Sequence, residues 1–211
     1  MNIQRPCFSE ELEEGHLQML FEEEDHILYL KTCNASTLNQ QHVEKAEIIE
    51  CTIHQSECIQ TTFQRITISD VHFSNTDFST STFHHVDFMR VTFDNCKFMG
   101  TIFDACYFQD VHFSSCVLHF SSFRQSPFKQ VAWTNCSLNG IDFFDNTFQH
   151  VTISHSDLTE STFEQTSLAS LDLSTNNLTG IRITFDDLKK ATLSPNQALE
   201  WVQTLGIFIK A

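Results

Sequence analysis

The sequence is poor in basic residues. Twelve lysines and arginines face 27 aspartates and glutamates, a formal charge of −15 at pH 7. So acidic a surface repels nucleic acid and anionic membrane, which argues against direct binding to either and favours basic protein partners. Long apolar runs are lacking as well. No stretch approaches the ~20 residues of a membrane-spanning helix, and the start, MNIQRPCFSEELEEG, has no apolar core of signal-peptide type. The eight cysteines form no CxxC pair, so with no secretion signal the expectation is reduced thiols in a cytoplasmic protein. P-loop, GxGxxG, GxSxG and HExxH patterns are all missing. Neither an enzyme nor a cofactor is therefore expected. Glycine and proline are scarce, with 5 and 3 copies, whereas phenylalanine has 21. That aromatic content excludes a disordered acidic tail.

The phenylalanines are ordered. From Phe73 they recur as Phe78, Phe83, Phe88, Phe93, Phe98, Phe103, Phe108 and Phe113, one every fifth residue. The period fits neither a helix near 3.6 nor a strand at 2. The same register is apolar from Leu38 through Phe63, Trp133 and Phe163 to Leu193, without an insertion. Every Phe outside Phe8, Phe21, Phe120, Phe144, Phe185 and Phe208 lies on it. A second position, two residues earlier, is small or β-branched, as in Thr61, Ile66, Val71 and Thr76. Each five-residue unit thus points one large and one small side chain inward.

The small position also sets the number of sides. Val71, Val91, Val111, Val131 and Val151 recur every twenty residues, and so do Cys96, Cys116 and Cys136. Four units make one coil. The chain is therefore expected to form an all-β solenoid, a quadrilateral parallel β-helix of about eight coils stacked about 4.8 Å apart. Gly100, Gly140 and Gly180 share one corner, which suggests a glycine-tolerant turn there. The stacked cysteines are read as small core hydrophobes.

Three segments follow. Residues 1–35 are an N-terminal cap, a short helix or hairpin over the first coil. Residues 36–193 are the β-helix. In residues 194–211, Ser194, Pro195 and Gln197 read as a helix start with a capping box, and Gly206 as its stop. Leu199, Trp201, Val202, Leu205, Ile207, Phe208 and Ile209 give this end an apolar face that predicts a homodimer joined through its C-terminus. Acids lie on all four sides, and a few apolar residues fall on outward positions, among them Met99, Ile102, Phe120 and Phe144. The partner-binding candidates are Asp104, Asp142, Phe144, Asp145, Phe120, Asp157 and Glu160. His84–His85 has no further ligands at zinc spacing and reads as solvated, not metal-bound.

Units such as TDFST, CKFMG, SDLTE and NNLTG resemble the A(D/N)LXX signature of pentapeptide-repeat proteins over residues 36–193. The C-terminal helix with its apolar tail is similar to that of the Qnr and MfpA quinolone-resistance group, and most of all to its chromosomal enterococcal branch. The resemblance implies a right-handed β-helix and a dimeric acidic rod shaped like duplex DNA. It also implies binding to DNA gyrase and topoisomerase IV, protection from fluoroquinolones and inhibition of supercoiling. The alternative is a repeat scaffold with an unrelated protein partner. Many plasmid-borne Qnr proteins carry two loops that interrupt the repeats. The unbroken register here lacks them, so their functional residues have no counterpart; stronger inhibition, and protection that is weaker or differently mediated, are expected.

Overall fold

The computed structural model describes residues 2–22, 25–204 and 206–207. The chain winds into a four-sided parallel β-solenoid. One side is an eight-stranded sheet of short strands running from His42–Glu44 to Arg182–Ile183. Two further sides are shared by eight-residue strands such as Thr67–Ser74, Asp87–Asp94 and Tyr107–Ser114, which belong to a nine-stranded sheet. The fourth side is made of single bridges, Glu57↔Asp77↔Lys97↔Val117 among them. Pairing always advances by one coil: Phe63↔Phe83, Phe83↔Phe103, Phe103↔Phe123.

Every fifth residue from Leu30 to Ser170 has a positive φ, including Arg65, Asp70, Asn75 and Thr80 at 55°, 55°, 50° and 56°. These are the corners. The left-handed conformation costs a residue with a side chain ~1 kcal/mol. Each corner repays part of this by sending its N–H to the next coil, as in Arg65 N to His84 O at 3.0 Å and Asp145 N to Glu164 O at 2.9 Å. The glycines of one corner are thus not required by φ alone, because Gln60, Thr80, Phe120 and Glu160 take the same conformation in the same column.

Inside, rings stack face to face along the rod. Centroids are 4.9 Å apart for Phe83–Phe103, 4.4 Å for Phe103–Phe123 and 4.7 Å for Phe108–Phe128. Neighbouring columns meet edge to face, so both favourable aromatic geometries are used at once. The small inward residues do more than fill space. The Thr101 hydroxyl donates to Phe78 O at 2.8 Å, the Asn146 amide to Phe123 O at 3.0 Å, and the Cys116 and Cys136 thiols to Phe93 O and Phe113 O at 3.3 and 3.4 Å. Each supplies a donor to a carbonyl that water cannot reach. The cysteines are therefore weak hydrogen-bond donors and not only the packing groups expected from sequence. Burial pushes the Cys106 thiol up to about 12, which keeps it protonated and donating.

The two ends depart from the regular pattern. Parallel pairing starts earlier than residue 36: Ile27–Tyr29 and Lys31–Asn34 pair with Glu47–His54, and Leu28 and Cys33 are buried on the five-residue register. A 3-10 turn, Leu17–Phe21, lays buried Leu17 and Leu20 on the first coil. Residues 2–12 form a strap along the outside of one corner, perpendicular to the coils. Gln4 N donates to Asp110 Oδ1 at 3.0 Å, Cys7 N to Asp70 Oδ1 at 3.1 Å and Ser9 N to Glu50 Oε2 at 2.5 Å. Gln130 Nε2 donates to Asn2 O at 3.0 Å.

Toward the other end the nine-stranded sheet stops at Thr147–Ser154. The next coil closes tight turns instead, with Leu171 N on Leu168 O and Asn176 N on Leu173 O, and it pairs onward through Ser170 N to Lys190 O. Phe148 turns edge-on to Phe128, and a recess opens between Phe148, Val151 and Leu171. A helical turn, α1 (Phe185–Leu188), then interrupts the register, although Leu188 still points inward. The last helix, α2 (Pro195–Thr204), begins with the expected reciprocal cap: Ser194 N to Gln197 Oε1 at 2.6 Å and Gln197 N to Ser194 Oγ at 3.4 Å. Gln197 Nε2 also donates to Leu173 O and Asn176 O, tying the helix to the last coil. No helix among the described residues is long and apolar enough to cross a membrane.

Phe103 is fully buried between Phe83 and Phe123. Phe103→Ala is expected to cost ~3–5 kcal/mol through lost burial and a cavity. Thr82→Ala, at an outward position, is expected to cost under ~0.5 kcal/mol. Denaturant unfolding of the two variants checks this. Equal losses would mean that the inward face is misassigned.

A candidate partner-binding edge

The eight-stranded side and the two corners that border it hold six of the seven partner-binding candidates. Asp142, Phe144 and Asp104 stand on its outward positions, Phe120 and Glu160 on one corner and Asp145 on the other. Asp157 lies just round the first corner, on the side made of bridges.

The structure separates them by what they already bond. Asp157 Oδ1 accepts from Thr159 N at 3.1 Å and Thr159 Oγ1 at 2.5 Å, so it shapes its own turn, as Asp77 does with Ser79. Asp104 accepts from His84 at 2.8 Å across one coil. His84 and His85 have ring centroids 4.2 Å apart, and among the described residues no three His, Cys, Asp or Glu side chains could hold a metal ion. Asp145 accepts a long bond of 3.4 Å from Gln125. Phe144 is half-buried in register with Arg124 and Glu164. Glu160 is exposed.

Phe120 differs from the others. It is 67% exposed and sits at φ 55°, a conformation very unfavourable for a bulky side chain. Glycines flank it in the column, Gly100 one coil before and Gly140 one coil after. A Cβ on Gly140 would lie 2.7 Å from the Phe120 ring, so the ring lies over the bare backbone of that glycine. This close approach, and not the turn alone, accounts for glycine at residue 140. Met99 and Ile102, 44% and 39% exposed, flank Gly100 on the coil before. With Phe120 they put three exposed apolar residues on two neighbouring coils of this edge at mid-rod. Sequence reasoning noted Met99 and Ile102 as outward residues but did not place them in the site. That they share an edge with Phe120 shows only once the coils are stacked. The strap runs along the diagonally opposite corner and leaves this edge open.

The C-terminal candidates divide too. Trp201 packs on the core and faces Phe185 at 5.8 Å, so part of its surface serves its own chain. Val202 is half-buried, whereas Leu199 and Ile207 are 46% and 52% exposed. Leu205, Phe208 and Ile209 lie outside the described residues.

Coil architecture, inward register and left-handed corners define the class, a parallel β-solenoid built from five-residue units. Two family models match it, Pentapeptide repeats over residues 56–95 and Pentapeptide repeat region over residues 86–163. The chain belongs to the pentapeptide-repeat family. Its fold is similar to that of trypsin-treated QnrB1, a plasmid-mediated fluoroquinolone resistance protein. The TM-score is 0.55 at 16% identity, covering 84% of this chain and 99% of that one. HetL, a pentapeptide repeat protein involved in heterocyst differentiation regulation from the cyanobacterium Nostoc sp., aligns with a TM-score of 0.44 at 11% identity, over 83% of this chain and 91% of its own. No curated protein sequence matches.

A bulky ring in the left-handed conformation at an exposed position gains little stability from burial. Phe120→Gly is therefore expected to leave stability unchanged or raise it by up to ~1 kcal/mol. Urea unfolding checks this, and a loss above ~1 kcal/mol would make the ring a structural element instead.

Proposed function

We propose that two copies join through their C-terminal ends into one acidic rod that binds type II topoisomerases, DNA gyrase and topoisomerase IV, in place of DNA. Such binding would protect them from fluoroquinolones and reduce supercoiling. The observation that carries this reading is the combination of an unbranched stack of coils with a charge of −15. A dimer would extend roughly 75 Å at the coil spacing, long enough to lie in a basic groove shaped for a duplex. Its charge speeds encounter, while a few anchors set affinity. Phe120, Met99 and Ile102 are suited to anchoring. The rod offers no phosphodiester to cleave and no base step for a drug to enter. The fold shared with QnrB1, a fluoroquinolone resistance protein, supports the same reading. Exposed Leu199 and Ile207 support a contact between C-terminal ends. The apolar edge would equally suit an unrelated protein partner, the second reading.

Titrating the purified protein into gyrase and DNA, with and without ciprofloxacin, tests the proposal. Drug-trapped cleavage and supercoiling should both fall, and both effects should weaken with salt, since exposed charges are screened beyond about 8–10 Å. Phe120→Ala should weaken them severalfold at unchanged stability. No effect at large molar excess would leave the scaffold reading.

Removing residues 206–211 should convert a dimer into a monomer in sedimentation. A full-length chain that sediments as a monomer at micromolar concentration, or a truncation that stays dimeric, would overturn the end-to-end contact.

A further inference from the structure

The strap is an unusual element for a solenoid, in which each repeat normally touches only its neighbours. It is held by three carboxylates of one corner column, Glu50, Asp70 and Asp110, each accepting from a backbone N–H. Any extended peptide has such N–H groups, so the seat does not depend on the strap's side chains. Those side chains contribute little. Asn2, Gln4, Arg5, Cys7, Phe8, Ser9, Glu10 and Glu11 are exposed, and only Ile3, Pro6 and Leu12 are half-buried. A groove stays open beneath the strap between Arg5, Phe8, His72, Asp94 and His112. An element with so little buried apolar surface belongs to the low-stability end of a structure.

The carboxylates below are in the opposite state. Asp110 is 2% exposed and Asp70 8%, and they are the only buried acids among the described residues. Arg90, in the coil between them, is committed to Asp70 through bonds of 2.8 and 2.6 Å. Asp110 accepts from the neutral Gln4 N–H. A buried carboxylate is held more strongly by a cationic donor than by an amide.

We propose that the strap is a displaceable cover, and that an extended, lysine- or arginine-rich segment of a protein partner takes its place on the Glu50–Asp70–Asp110 edge. In the free protein the strap holds this edge closed, and a basic segment exchanges for it. The exchange opens a second face of the rod, diagonally across from Phe120. It does not depend on which protein the partner is, and so stands or falls separately from the topoisomerase reading.

The probe is a fluorescent decalysine peptide, followed by anisotropy at low salt. A chain lacking residues 2–10 should bind it about tenfold more tightly than the full chain, the worth of one charge-assisted hydrogen bond. Asp70→Asn with Asp110→Asn in the shortened chain should abolish the gain. A synthetic peptide of residues 2–12 should compete with decalysine on the shortened chain. In the full chain, decalysine should speed hydrogen exchange at the amides of Gln4, Cys7 and Ser9, a measurement that needs no truncation. Equal affinity of the short and full chains, or amide exchange unmoved by saturating decalysine, would overturn the proposal and leave the strap a fixed staple.

Discussion

The rod depends on a backbone conformation that most residues avoid. A left-handed residue at every fifth position turns the chain by a quarter of a circuit, so the twenty-residue coil and its straight stacking both follow from it. The preference is weak in any one residue: asparagine, aspartate and histidine, which tolerate the conformation best, fill many corners, but so does glutamine, which has no such preference. What holds each corner is its two neighbours: the coil before and the coil after have the same shape, and the corner N–H completes the ladder between them. Regularity is thus self-supporting. It ends where Thr175 leaves the left-handed region and Phe185 enters a helix, the same part of the chain where the nine-stranded sheet stops and the recess at Phe148 opens.

Within this frame the interior solves two problems with two side chains per unit. The large residue buries apolar surface and stacks on its own copy one coil away. Where the small residue is Thr, Asn or Cys, it also brings a hydroxyl, amide or thiol to a carbonyl of the coil before, whereas the valines of the small position only pack. Trp133 is the exception. It fills the place of a phenylalanine above Phe113, and its indole N–H has no partner. Stacking and burial there must outweigh a missing hydrogen bond of ~1–3 kcal/mol.

Much of this was legible in the sequence, because periodic burial leaves a periodic record. The inward register, the four sides and the cap formed by Ser194 and Gln197 could be read from residue spacing alone. Other features leave no such record. The strap is bound through its own backbone N–H groups, which no side chain announces, and its partners Glu50, Asp70 and Asp110 look like ordinary outward acids. The role of Gly140 needed the Phe120 ring to be placed over it. The cysteine donors were hidden because a thiol and a small hydrophobe occupy the same space. Of the candidate site, the residue types were legible. Which acids were already engaged, as Asp157 is by Thr159, was not.

The strap also imposes an order on synthesis. Gln4 leaves the ribosome well before Asp110, whose carboxylate receives its N–H, and Gln130 follows later still. At ~5–20 residues per second the first residues wait on the order of ten seconds for their seat to exist. Coils can meanwhile form one upon another from the first, without the strap. The strap is therefore seated only after the coils up to Asp110 exist, and until then the newborn rod shows the ribosome and its surroundings a bare acidic edge.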